Sequence, residues 1–269
     1  MTVIADINGG LGNQLFMYAA GLSLSLYHQT SLKLDLTNLR NHTRHGGYYL
    51  DQFKIDQNFA ATGDLTTLRP VFKHLDHQFG EYLPEILNTP KDVYLYGYWQ
   101  SELYFKSIEK ELREKLQFKN ELIGENLLLA QEINLVDAVS VHIRRGDYAN
   151  YPTLFNILPL SYYQRAMGLI TEIIPTAHFY VFSDDILWAK ENIKTKQDIT
   201  FVSHNGPSSM PYNDLHLMSR CKHHIISNST FGWWGAWLNP NTDKAVIAPS
   251  PWFTQLPAPD IIPASWIKL

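Results

Sequence analysis

Two adjacent arginines stand in the segment His142-Ile-Arg-Arg-Gly-Asp-Tyr148, directly after a run of strand-forming residues. Planar guanidinium groups held side by side can grip a diphosphate through paired hydrogen bonds, and arginine keeps its charge when partly buried. An internal ion pair with Asp147 is the competing use of one of them. A second segment, Ser227-Asn-Ser-Thr-Phe-Gly-Trp-Trp-Gly-Ala-Trp237, passes from a strand through hydroxyl residues into a helical pattern. Ser229 or Thr230 there can cap the helix, and the exposed amides of a helix start favour an anion. Capping alone explains the same residues.

Asp184 and Asp185, in Phe182-Ser-Asp-Asp185, follow another strand. A carboxylate at that place is a matched acceptor for two neighbouring N–H donors such as guanine N1 and N2, and it is equally suited to capping the helix that follows. The turn Asn8-Gly-Gly-Leu-Gly-Asn-Gln14 allows close backbone approach after the first strand. It does not complete a dinucleotide fingerprint, because Leu15 stands where glycine or alanine is required. No Gly-x-x-x-x-Gly-Lys phosphate loop occurs.

Metal chemistry has little to stand on. No Asp-x-Asp pair is present, and His42/His45, His74/His77 and His223/His224 come without a convincing carboxylate or cysteine set. They read as surface or structural histidines. Cys221, the single cysteine, reads as a small apolar core residue. Trp233, Trp234 and Trp237 could stack on a sugar or a base, although aromatic residues at helical spacing more often pack a core.

The elements that position these residues follow from periodicity. Residues 2–7 read as a buried strand, 13–27 as a helix, 32–36 and 93–97 as strands, and 102–116 and 122–133 as helices with charged outer faces. From 138 onward strands at 139–143, 179–182, 199–203, 223–227 and 245–248 alternate with helices at 161–174, 186–193, 213–220 and 231–238. Repeated strand–helix order predicts a parallel, doubly wound α/β sheet. Residues 38–90 show no firm period. The second alternating series places a domain boundary near Val136, giving lobes 1–135 and 136–269.

At 269 residues, 45% hydrophobic and 18% charged, the chain has a globular composition. A net charge of −4 offers no general attraction to nucleic acid or to an anionic membrane, so an anionic ligand needs a local site. No apolar run approaches a membrane span and residues 1–7 lack the features of a signal peptide, so a cytoplasmic protein is expected, with peripheral membrane association left open.

Taken together, the 9–16 turn, His142-Ile-Arg-Arg-Gly-Asp147, Phe182-Ser-Asp-Asp185 and the 227–238 segment resemble glycosyltransferase family 11, which contains the α-1,2-fucosyltransferases. The resemblance implies a GT-B architecture: two Rossmann-like lobes with a donor/acceptor cleft between them. It further implies GDP-fucose as donor substrate, with no metal or other cofactor, and inversion at the anomeric carbon. The acceptor would be O2 of a terminal β-galactoside.

By the same resemblance the donor side is His142, Arg144, Arg145, Asp184, Asp185, Asn228, Ser229, Thr230 and Phe231. Arg144 is matched to the diphosphate, Arg145 supports it, and Asn8, Gly9, Gly10 and Asn13 form the acceptor side. Arg144 and the amides near Thr230 would meet charge growing on the leaving phosphate. Asp147 is the candidate base, with pairing to Arg145 as its other role. Fucosyl transfer to another position is the runner-up; a nucleotide-dependent oxidoreductase and a non-catalytic carbohydrate-binding protein are the readings from other classes.

Overall fold

Short apolar runs bounded by turns form the strands, and the longer periodic runs between them form helices. The computed structural model describes residues 1–41, 47–67, 70–72, 80–150, 153–206 and 211–269. Two units emerge: residues 1–119 with 257–263, and residues 120–256 with 264–269.

In the first unit the strands are β1 (Thr2–Asp6), β2 (Ser31–Asp35), β3 (Pro70–Phe72) and β4 (Val93–Tyr96). They run parallel in the order β2-β1-β4-β3. The helices are α1 (Leu11–His28), α2 (Thr37–Asn41), α3 (Thr62–Thr67) and α4 (Glu109–Lys115). Helix α1 is buried along most of its length, which is why its sequence is apolar on nearly every face.

The expected single helix over 102–116 is broken. Two 3-10 turns, Glu102–Tyr104 and Lys106–Ile108, precede α4. Phe105 leaves the helical region at φ −133° while Tyr104 and Phe105 are both buried. Tyr104 is held by tertiary contacts, its hydroxyl donating to the Glu81 carbonyl at 2.9 Å and its ring meeting Trp99 edge-on, so packing overrides the local pattern.

The second unit holds α5 (Gly124–Leu135), β5 (Asp137–Ile143), α6 (Leu160–Ile173), β6 (Ala177–Ser183), α7 (Ile186–Asn192), β7 (Ile199–Phe201) and α8 (Tyr212–Arg220). It continues with β8 (His223–Ile225), α9 (Thr230–Leu238), β9 (Val246–Ala248) and β10 (Ile267–Lys268). The order β10-β9-β8-β5-β6-β7 is parallel throughout. Helix α5 belongs here: Leu129, Ala130 and Ile133 pack with Ala138, Phe182, Leu217 and Met218.

Strand β5 alternates by residue. Val139, Val141 and Ile143 enter the cluster built on α6, leaving Ala138, Ser140 and His142 on the other face by the two-residue period. The polar members are paired. Ser140 Oγ lies 2.7 Å from His224 Nδ1, and Asn239 Nδ2 lies 2.8 Å from His224 Nε2. An amide nitrogen only donates, so Nε2 accepts and Nδ1 carries the proton to Ser140. His224 is therefore a neutral core residue, and Cys221 is likewise buried.

This burial makes stability depend on pH. Burial holds His224 well below the usual histidine range, His142 at about 3 and His216 at about 4. Folded values below the unfolded one mean that stability is fully present above about pH 6.5 and is lost as pH falls, by about 1.4 kcal/mol per histidine at pH 5.5. Burial pushes Asp6 upward and Asp214 to about 6, which acts in the opposite sense, but His28, His178 and His223 are also lowered by burial, so six histidines face two carboxylates. The urea midpoint is expected to drop between pH 7.5 and 5.5; a midpoint that holds or rises contradicts the assignment.

Among the described residues no helix is long and apolar enough to cross a membrane.

Candidate active site

From β5 the chain builds β6 and β7 on one side, then returns to build β8, β9 and β10 on the other. The carboxyl ends of β5 and β8 thus flank the point where the winding reverses, which is where open α/β sheets bind ligands. The two strongest sequence segments follow these two strands.

His142 is the next-to-last residue of β5, and its Nδ1 lies 2.9 Å from Ser227 Oγ just after β8. Burial first, then the Arg144 charge, keeps this imidazole neutral. Gly232 in the first turn of α9 is needed for this contact: a Cβ there would lie 2.7 Å from His142 Nδ1. The Phe231 ring packs 5.6 Å from the imidazole. Ser229 caps α9, its hydroxyl accepting from the Phe231 N–H at 3.3 Å, so α9 begins at Thr230 beside the end of β5.

The arginines pair with the two aspartates after β6. Arg144 Nε is 3.2 Å from Asp184 Oδ2, and Arg145 Nε is 3.7 Å from Asp185 Oδ2. Arg145 also lies over the Trp188 ring, 3.8 Å from its centroid, an attractive cation–π geometry. Arg144 sits near the Tyr148 ring and is about a quarter exposed, 27%, so its charge is partly screened from water yet reachable.

Asp184 does more than pair. Its carboxylate accepts the backbone N–H of Arg145 at 2.9 Å and of Gly146 at 3.0 Å. Gly146 permits that approach, since a Cβ there would come within 2.8 Å of Asp184 Oδ2. Asp184 is thus the clasp of the arginine turn. Asp185 is the helix cap, accepting from Trp188 N–H at 3.2 Å. The dipeptide thus carries two structural duties, a clasp and a cap. The Asp147 side chain lies outside the described residues, as do His42, His45, His74 and His77.

Asn228 is buried and knits loops together, donating from Nδ2 to the Asn156 and Trp252 carbonyls at 2.9 and 3.1 Å. Its own carbonyl accepts from Tyr148 O–H at 2.8 Å. Trp233, Trp234 and Trp237 are core residues, exposed by 0%, 0% and 4%, which removes them as a sugar-stacking surface.

The first unit holds the glycine turn. Gly9 has φ +70°, a conformation glycine adopts without strain. Its carbonyl accepts from Gln14 Nε2 at 2.9 Å, while Gln14 Oε1 accepts from Tyr49 N–H at 3.1 Å. Asn8 Nδ2 donates to Asp6 at 2.5 Å, and Asn13 Oδ1 accepts from Gln100 Nε2 at 3.2 Å. Gly10 precedes α1 and lends its carbonyl to the Asn13 and Gln14 N–H groups.

Sequence reasoning missed Asp6, Gln14, Gln100 and Asp214. Asp214 opens α8, accepts from Asn205 Nδ2 at 2.8 Å, and is pushed up to about 6 by burial. A charged residue in the first turn of a helix gave no signal beyond the helix dipole. Among the described residues no group of three or more His, Cys, Asp or Glu side chains is arranged to hold a metal ion.

The sequence profile of glycosyl transferase family 11 matches residues 72–266. An Escherichia coli alpha-1,2-colitosyltransferase is 35% identical, across 99% of this chain and 98% of that protein. Galactoside alpha-(1,2)-fucosyltransferase 1 of Homo sapiens is 30% identical across 60% of this chain and 47% of that protein. NodZ alpha-1,6-fucosyltransferase from Bradyrhizobium, co-crystallised with GDP, superposes with a TM-score of 0.52 over 87% of this chain and 91% of that one at 14% identity, a likeness of fold. The profile spans the whole crevice from β5 to α9 and the colitosyltransferase matches nearly end to end: the chain belongs to glycosyl transferase family 11.

Proposed function

We propose that the protein transfers L-fucose from GDP-β-L-fucose to O2 of a terminal β-galactoside, with inversion and without a metal ion. The single observation that carries the reading is the crevice between β5 and β8. It joins a clasped arginine pair, a neutral imidazole and a capped helix start at a sheet's winding reversal. The two units correspond to the two lobes of a GT-B enzyme, with the donor on the second and the acceptor on the first.

As the bond to GDP breaks, negative charge grows on the β-phosphate. Arg144 and the amides of Thr230 and Phe231 are the preorganised donors for it, which is where electrostatic catalysis gains most. Arg145, held by Asp185 and Trp188, positions the turn. Asp184 is engaged with the turn, so Asp214 becomes the carboxylate proposed for guanine N1 and N2. Asp147 is retained as the candidate base for the attacking hydroxyl, because it stands on the same turn as the arginines.

The full-length relative named a colitosyltransferase supports a second donor reading, GDP-colitose, a sugar lacking the 3-hydroxyl of fucose. Purified protein with lactose and EDTA, offered GDP-fucose or GDP-colitose, is expected to form an α-1,2-linked fucosyl product by NMR. Transfer of colitose alone moves the donor assignment. Activity abolished by EDTA and restored by a divalent cation overturns the metal-free mechanism, and no response to GDP at all overturns the donor class.

A further inference from the structure

We infer that residues 97–101, after β4, form a subsite for an uncharged sugar together with the 8–13 turn, and that Gln100 is its specificity-determining contact. The inference rests on the glycosyltransferase reading for its substrate class, while the site itself is argued from the first unit alone. In that unit the chain builds β2 beside β1, then returns through β3 to lay β4 on the other side of β1. The winding reverses between β1 and β4, so their carboxyl ends flank a second crevice of the kind that binds ligands.

Two turns stand there, and Gln100 Nε2 ties them by its 3.2 Å hydrogen bond to Asn13 Oδ1. The turn after β4 carries backbone strain. Gly97 has φ 141°, and Trp99 has φ 53°, a left-handed conformation that is a genuine outlier for so bulky a residue. Such a residue costs on the order of 1–3 kcal/mol and persists only where its surroundings hold it. Here the Trp99 carbonyl accepts from Ser101 N–H at 2.9 Å and its ring meets Tyr104 edge-on at 5.4 Å.

The same turn leaves polar atoms unsatisfied. Gln100 is 7% exposed and its Oε1 has no hydrogen-bond partner among the described residues. Trp99 is 3% exposed and its Nε1 has none either. A buried polar atom without a partner costs roughly 1–3 kcal/mol. Two within two residues, on a strained turn at a winding reversal, mark a place organised for something other than folding.

The chemistry narrows the ligand. The polar side chains of the two turns are all neutral, namely carboxamides, the Trp99 indole, the Tyr98 phenol and the Ser101 hydroxyl, and residues 8–14 and 97–101 contain no lysine or arginine. That is a poor match for a phosphate. It suits hydroxyl groups, which donate to the Gln100 carbonyl and accept from the indole N–H. A neutral hexose presents several in a fixed array.

The test uses the full chain and Gln100→Leu, with Gln100→Asn as the conservative variant. Saturation-transfer NMR with methyl β-galactoside reads the subsite without donor, the GDP-induced shift in melting temperature reads the second unit, and transfer kinetics read both. Gln100→Leu is expected to lose the sugar signal and to raise the acceptor KM by roughly 10- to 100-fold, with the GDP shift and donor KM unchanged and Gln100→Asn intermediate.

An unchanged sugar signal and acceptor KM overturn the inference, as does absence of sugar signal in the unaltered protein. Joint loss of sugar signal and GDP shift also overturns it, in favour of a packing role. If the protein neither responds to GDP nor transfers fucose, yet shows a Gln100-dependent sugar signal, the subsite stands and the proposed reaction falls.

Discussion

Arg144→Ala is expected to lower turnover by about 100- to 1000-fold, the effect of removing one preorganised donor from a site where charge develops. In the proposed transfer the bond to the leaving diphosphate breaks, and charge appears on oxygen while the sugar becomes cation-like. A guanidinium held in a fixed geometry needs no reorganisation to meet that charge. Arg144 is held in this way by the ion pair between its Nε and Asp184. Lysine at this position supplies charge without the planar fork, so Arg144→Lys should recover only part of the loss. The kinetic signature separates roles. A fall in kcat with unchanged donor KM marks an interaction made in the transition state, whereas a rise in KM alone marks uniform binding. Steady-state kinetics with GDP-fucose and lactose decide it, and turnover within a few-fold of the parent would show that the charge is met elsewhere.

Much of the second unit was legible because its signals are local. Strand β5 alternates apolar residues with Ser140 and His142 and is followed by a conspicuous pair of cations, and a strand of this kind ends at the sheet edge where ligands bind. The hydroxyl residues before α9 announced a cap, and Ser229 is that cap. Other features depend on contacts that no short window contains. Asp184 and Asp185 are adjacent and chemically identical, yet one fastens a turn some forty residues earlier in the chain and the other caps its own helix. Periodicity cannot distinguish them. The 102–116 segment has good helical composition, but the buried Tyr104 and Phe105 interrupt it. Gln100 was hidden for a related reason: it stands between the 93–97 strand and the helical stretch from 102, and only the strand order places that connection beside the glycine turn. The two-residue strand β10 carries too few residues to show any period.

Asp184→Ala is expected to reduce donor kcat/KM by about 100-fold with both arginines intact, the scale on which a misplacement of about 1 Å weakens a positioned site. The carboxylate holds three donors at once: Arg144 Nε, the Arg145 N–H and the Gly146 N–H. Alanine releases all three, so the turn loses its shape and Arg144 loses the contact that orients its guanidinium. Asp184→Asn keeps one accepting oxygen but turns an N–H₂ toward a donor, and its activity should fall between the two. Base recognition gives a different signature from positioning. If Asp184 accepted from guanine N2, its loss would erase the preference for GDP over IDP, which lacks that amino group. A clasp acts on both nucleotides equally. Competition between GDP and IDP should therefore keep its parental ratio in Asp184→Ala and lose it in Asp214→Asn, where the half-buried carboxylate at the start of α8 is removed. A lost ratio in Asp184→Ala would return that residue to the guanine and make the fastening of the arginine turn incidental to its role.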